Sequence, residues 1–341
     1  MIKSLLSPIY CGVFVLFILA ASLTSSLADD LSDRTVGFRH MSLDGVEIGV
    51  WYASTSKAEK SRLGPFDVHY AKDGEPATGL YPIVLMSHGV MGRYRNHHLT
   101  ASALVRKGYL VVAPTHAHDS LIFESKIVEG MTHRLHDVTM ALGALDVVPD
   151  ISAIADRTRI YGLGYSLGSA TILVAAGGAV NLDLLAEHCA DHGAEDAYFC
   201  AATGVPWYER LFNWAFSRDQ RPSQLSMPSR PINGDIALVA PMGQGLDLDA
   251  IKEHGKFGVF ALGEDQRLPV VFHAQALRDA LPAHRVRFHE YEGVHHFAFI
   301  APFPKWLTDS ENIPVAKDPE GFDRQAFIDN VNHDIVGFFG S

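Results

Sequence analysis

Cationic residues, cysteines and long apolar runs are all scarce in this chain. Lysine and arginine together number 28 against 39 aspartates and glutamates, a formal net charge of −11. Binding to nucleic acid or to an anionic membrane surface draws on an excess of cations, so electrostatics argue against both partners. Cysteine occurs three times in 341 residues, at positions 11, 189 and 200. Beyond Leu23 no apolar segment approaches the length that spans a bilayer, and neither an internal repeat nor a low-complexity tract is present.

The apolar run that does exist, Ile9 to Leu23, follows Lys3 and ends at Ser26-Leu27-Ala28, small residues placed as at a processing site. Residues 1–28 therefore read as a secretory signal peptide, and a retained anchor is the competing reading. Cys11 lacks the small-residue setting of a lipid-modified cysteine. Removing 28 of 341 residues leaves 341 − 28 = 313, enough for one large soluble domain over 29–341. The loss of Lys3 takes the charge from −11 to −12. Cys189 and Cys200 remain, and their spacing in an exported chain permits a disulfide closing a short loop; two unpaired thiols are the alternative.

Apolar runs alternate with turn signals in a strand–helix rhythm. Strands are expected at Val46–Trp51, Pro82–Met86, Leu110–Ala113, Arg159–Leu163, Ile236–Ala240, Phe257–Leu262 and Val286–Tyr291. Helices are expected at Leu99–Arg106, Met131–Leu145, Val271–Leu281 and Asp323–Phe339. Short continuous apolar strands between helices predict an α/β fold, a mostly parallel sheet with helices on both faces. The stretch from about Asn181 to Asn233 breaks the rhythm. It is rich in Pro, Ser and polar residues and holds the aromatic cluster Trp207, Tyr208, Phe212, Trp214 and Phe216. It reads as an insertion lying like a cap over the carboxyl end of the sheet, where open α/β folds bind ligands; a plain surface excursion is the other reading.

Gly164-Tyr165-Ser166-Leu167-Gly168 stands between an expected strand and the small-residue stretch Ser169 to Ala176. A serine on such a sharp strand–turn–helix is presented as a nucleophile, and glycines two residues before and after it allow the close approach. Serine needs a base, and the base needs an acid to orient it, in the order serine, acid, histidine. The loop Gly263 to Pro269 offers Glu264 and Asp265, of which Asp265 stands at the better distance from Pro269. The loop Glu292 to Phe299 offers His295 and His296. Ser87-His88-Gly89-Val90-Met91-Gly92 follows a buried strand and can turn a backbone N–H toward a developing oxyanion, with Val90 as donor ahead of Met91, and Leu167 N–H as the second. Zinc binding by His116, His118 and Asp119, with His97 and His98 not far off in sequence, is the competing chemistry, but no third protein ligand has a motif-like spacing.

These segments resemble the α/β-hydrolase superfamily, and within it the dienelactone hydrolase-like and platelet-activating-factor acetylhydrolase-like serine esterases. The resemblance runs from Tyr81 to Pro302. It rests on Ser87 to Arg95, on Gly108 to His116, on Gly164 to Gly168, and on His296-Phe297-Ala298-Phe299, which favours His296 over His295. Serine stands where dienelactone hydrolases proper have cysteine. The resemblance implies an α/β-hydrolase fold with Ser166 as nucleophile, His296 as base, Asp265 as acid, and Val90 and Leu167 as oxyanion donors. It further implies hydrolysis of a small-molecule or lipid-like carboxylic ester without metal or organic cofactor, and the signal segment read at residues 1–28 puts that activity in the periplasm or outside the cell. A peptidase on the same scaffold and a hydrolase-shaped binding protein without turnover are the alternatives.

Overall fold

The computed structural model describes residues 35–123, 126–203, 224–309 and 313–341. The expected signal segment 1–28 and the aromatic cluster from Trp207 to Phe216 lie outside the described residues.

Thirteen strands are described: β1 Thr35–Leu43, β2 Val46–Ser54, β3 Glu59–Leu63, β4 Phe66–Lys72, β5 Tyr81–Ser87, β6 Leu110–Pro114, β7 Ala155–Tyr165, β8 Ala179–Asn181, β9 Gln224–Ser226, β10 Ile236–Val239, β11 Leu246–Asp247, β12 Phe257–Glu264 and β13 Val286–His295. Ten of them form one sheet in the order β13-β12-β10-β7-β5-β6-β2-β1-β4-β3. From β13 to β6 every neighbour pair is parallel; β2 then joins β6 antiparallel and leads into the amino-terminal strands. The fold is thus mixed α/β with a large, mostly parallel central sheet. β6 and β10 are buried throughout, and β5 nearly so, as strands must be when both faces of a sheet are covered.

Helix α1 His98–Arg106 carries the chain from β5 to β6. Helices α2 Ile127–Val147 and α3 Leu167–Ala175 flank β7 in sequence, and α3 leads on toward β10. The crossovers through α1 and through α3 run in opposite directions along the sheet, so right-handed connections place the two helices on opposite faces. α3 packs with α2, and α1 packs with the last helix of the chain, Arg324–Phe339.

All the expected strands and helices are found within a few residues of their expected ends. The strands β1, β3 and β4 were not anticipated. Their many polar and exposed side chains hide them from a reading that looks for continuous apolar runs. The insertion also carries more order than expected: helix Leu182–His192, whose first turn is capped by Asn181 Oδ1 accepting from Asp183 and Leu184 amides, then helix Ala197–Thr203 and β9. A Cys189–Cys200 disulfide, with Cα atoms 5.5 Å apart, joins the two helices. Among the described residues no helix is long and apolar enough to cross a membrane.

Candidate active site

β5 and β7 are neighbours, yet the segments that leave their carboxyl ends set off in opposite directions. That divergence opens a crevice at a topological switch point, and Ser166 stands in it. Its backbone has φ 55° and ψ −126°, a conformation that costs an L-residue energy, and α3 begins with the next residue. The strain is held by hydrogen bonds on either side: Ser166 N–H donates to Val239 O at 3.1 Å, and Ser166 O accepts from Ser169 N–H at 2.9 Å. The flanking glycines are required by space. A Cβ on Gly164 would come within 2.5 Å of Ser169 Cα in the following helix, and one on Gly168 would strike the carbonyl of Ser87 on β5. The second collision is with the neighbouring strand, not with β7 itself.

The partners of Ser166 arrive from the adjacent strands β12 and β13. Leu262 pairs with Tyr291, but two residues later Glu264 pairs with His295 rather than with residue 293. This shift of two residues, at Gly293 with φ 70°, draws the end of β13 back by roughly 6–7 Å at the usual rise per residue. His296 therefore lies level with Asp265. His296 Nδ1 is 2.6 Å from Asp265 Oδ2, and His296 Nε2 is 3.1 Å from Ser166 Oγ. Since the carboxylate can only accept, Nδ1 carries a hydrogen and Nε2 presents its lone pair to the serine hydroxyl. The other oxygen of Asp265 accepts from the amides of Arg267 and Leu268 at 2.8 and 2.9 Å. Tyr165 OH donates to His296 O at 2.7 Å, fixing the histidine's backbone. The sequence neighbours go elsewhere: Glu264 is exposed, and His295 Nε2 meets Asp318 Oδ1 at 3.0 Å.

Facing Ser166 across the crevice is the loop after β5. Met91 has φ 59°, and its N–H is taken by Asp119 Oδ2 at 2.7 Å. The amides of Val90 and Leu167 meet no acceptor among the described residues; Leu167 is the first residue of α3, where an unpaired N–H and the positive end of the helix coincide. Asp119 is itself held by the guanidinium of Arg134 from α2, through Nε to Oδ1 and Nη2 to Oδ2, both 2.8 Å. Arg134, wholly buried, also donates to His88 O at 3.0 Å and Thr171 Oγ1 at 3.2 Å. The anchoring role of Asp119 and Arg134 was missed in the sequence. The only signal was an acid and an arginine in otherwise buried surroundings, which no spacing rule connects.

The histidines weighed as a zinc set turn to separate partners. His116 Nε2 is 3.0 Å from Ser87 Oγ, and its Nδ1 is 2.9 Å from Asp137 Oδ2. His97 Nδ1 meets Phe299 O, His98 Nδ1 meets Arg95 O, and His118 stacks on His133. Burial, aided by the charge of Arg134, holds the His116 imidazole well below its ordinary pKa and the His88 imidazole down at about 4. Burial likewise raises the Asp137 carboxyl to about 6. One trio of potential ligand atoms does converge among the described residues, on His188, Asp196 and Cys200, but the Cys200 sulfur is bonded to Cys189. Asp196 Oδ2 instead accepts from His188 Nε2 at 2.8 Å and His273 Nε2 at 2.9 Å, tying the insertion to the core.

Beside Ser166 lies a cavity of about 80 Å³, walled largely by apolar side chains that include Ile122, Leu167, Phe199, Ala202, Met242 and Leu268. Phe199 and Ala202, with Tyr198, come from the insertion, so part of it covers the serine. The Arg267 guanidinium lies 3.7 Å from the centre of the Tyr198 ring and 5.2 Å from that of Phe297, bridging the insertion and the histidine's loop. In comparisons with known proteins, no family model and no curated protein matches this chain.

Proposed function

We propose that this chain is an exported serine hydrolase of the α/β-hydrolase type that cleaves carboxylic esters through an acyl-enzyme. The observation that carries the reading is the series Ser166 Oγ, His296 Nε2, His296 Nδ1 and Asp265 Oδ2, joined at 3.1 and 2.6 Å beside two unengaged amides. In this mechanism Ser166 attacks the ester carbonyl while His296 takes the hydroxyl proton, and Asp265 stabilises the imidazolium without being protonated. The negative oxygen of the tetrahedral intermediate is met by the N–H groups of Val90 and Leu167, each such donor contributing roughly a hundred- to a thousandfold in rate. His296 then protonates the departing alcohol. Water, deprotonated by the same imidazole, attacks the acyl-serine and restores the enzyme. The apolar cavity fits an ester with at least one hydrophobic arm. The disulfide supports an oxidising compartment, in accord with the export read from residues 1–28.

A fluorophosphonate probe tests this reading, since it labels only activated serines. The wild-type protein takes the label and Ser166→Ala does not. Equal labelling of the two proteins would assign the nucleophile elsewhere, and labelling of neither would remove the hydrolase reading.

A further inference from the structure

A second cavity, of about 120 Å³, opens on the same serine. It shares Val90, Ser166, His296 and Phe297 with the first, and its remaining walls combine apolar Tyr165, Ile300 and Val315 with Asn96, His97 and the loop residues Gly89, Met91 and Gly92. The His97 ring is clasped between Phe299, stacked at 4.7 Å between centroids, and the edge of Tyr165 at 4.9 Å. Its Nδ1 lies 3.1 Å from Phe299 O. A carbonyl oxygen cannot donate, so Nδ1 bears the hydrogen and Nε2 is an acceptor. That Nε2 is buried and has no hydrogen-bond partner. Protonation does not relieve it, because burial depresses the imidazole pKa to about 3. A buried acceptor left unpaired is costly to maintain and is rare in folded chains; here it belongs to a residue that lines the same cavity as the nucleophile.

We infer that the second cavity binds a hydroxyl group of the substrate, with His97 Nε2 accepting its hydrogen, so that the ester cleaved is apolar on one arm and hydroxyl-bearing on the other. The inference rests on the reading of Ser166 as an ester-cleaving nucleophile and names the substrate class of that site. A site built around a fixed acceptor discriminates against a substrate that lacks the donor far better than an apolar pocket discriminates by size. The hydroxyl can sit on the alcohol or on the acyl portion, and both place the same O–H at the same distance range from the carbonyl.

Two isosteric pairs of esters separate these sources: 2-hydroxyethyl against n-propyl hexanoate, and n-propyl 4-hydroxybutanoate against n-propyl pentanoate, the hydroxyl oxygen standing four bonds from the carbonyl carbon in each. In one pair kcat/KM for the wild-type protein is higher for the hydroxyl ester by roughly tenfold, the scale of one hydrogen bond to a buried acceptor. Methylating that hydroxyl removes the preference, a result that needs no variant. In His97→Phe the ratio within the same pair falls to about 1, whereas His97→Gln, which restores a side-chain acceptor, recovers part of it. Equal rates within both pairs, or a preference that survives methylation or His97→Phe, would overturn the inference while leaving the esterase standing. Failure to cleave any of the four esters, together with absence of fluorophosphonate labelling, would instead remove the hydrolase reading on which it rests.

Discussion

Ser166, His296 and Asp265 at the rim of the sheet, and Ser87, His116 and Asp137 beneath the neighbouring loop, are joined through the same atoms in the same order. The distances are alike: 3.1 and 2.6 Å in the first series, 3.0 and 2.9 Å in the second. Their surroundings differ. Ser166 has a left-handed backbone, opens onto two cavities and faces two unengaged amides. Ser87 ends a regular strand and is fully buried. The deeper series works as part of the floor of the loop that carries Val90: His88 Nε2 accepts from the His116 amide at 3.1 Å, and Arg134 ties the carbonyl of His88 to Asp119. Under the proposed mechanism, a serine, a histidine and an aspartate in line do not by themselves define a nucleophile. Access, a strained turn and free donors at the position of the developing charge do.

The largest effect that separates the two series comes from the serines. Ser166→Ala lowers ester hydrolysis by at least about ten-thousandfold, as removal of such a nucleophile does. Ser87→Ala keeps fluorophosphonate labelling and instead costs about 1–3 kcal/mol of stability, measured by urea unfolding, because His116 Nε2 loses its donor. The acids sharpen the contrast. Asp265→Asn reduces kcat by roughly a thousandfold or more through loss of the charge that orients and stabilises His296, with a small change in melting temperature. Asp137→Asn shifts the melting temperature more than kcat, and the reverse pattern for the pair would dissolve the distinction.

A smaller effect is expected at Asp119, which belongs to the floor yet acts through the loop. Asp119→Ala frees the Met91 amide and lowers kcat by roughly tenfold to a hundredfold with KM nearly unchanged. The preference for an ester over its thionoester, whose sulfur is a poor acceptor, shrinks in parallel. A purely structural role for Asp119 would leave that preference intact.

The effect least tied to either series, on stability and not on catalysis, is spread over several buried histidines. His88 and His98 are held at about 4 and His97 at about 3, all by burial, against an ordinary 6.5, and His116 is also held well below it. Unfolding below pH 6.5 lets these rings take up protons that the folded chain refuses. Stability present at neutral pH is therefore lost as pH falls from about 6.5 toward 4, with a slope of up to about 1.4 kcal/mol per pH unit for each histidine. Asp137, raised to about 6 by burial, favours the folded state in acid and opposes this as one group against four. Urea titrations across that range check the sign; flat stability would show that the rings are not held neutral.

The central strands and their helices were legible because each is a short apolar run between turn residues, and burial on both faces demands that composition. Ser166, His296 and Asp265 were legible from their loops, each just past a strand's carboxyl end. What settles Asp265 over Glu264 in space is the register shift at Gly293, which no single residue announces. The insertion's helices were obscured by its polar composition, since much of their packing runs through the disulfide and the buried His188–Asp196–His273 contact rather than through an apolar stripe. His97 and Asp119 were seen only as possible ligands. Their contacts, to Phe299 and to Met91 and Arg134, join residues whose separation in sequence gives no periodic signal.

The central claim is that the strained, accessible serine and not its buried counterpart forms a covalent bond with substrate. Rapid acid quenching of the protein during turnover of an aryl ester, followed by peptide mass mapping, tests it directly. The account predicts an acyl adduct on the peptide that contains Ser166. An adduct on the peptide containing Ser87, or turnover with no acylated peptide at any time point, would contradict it.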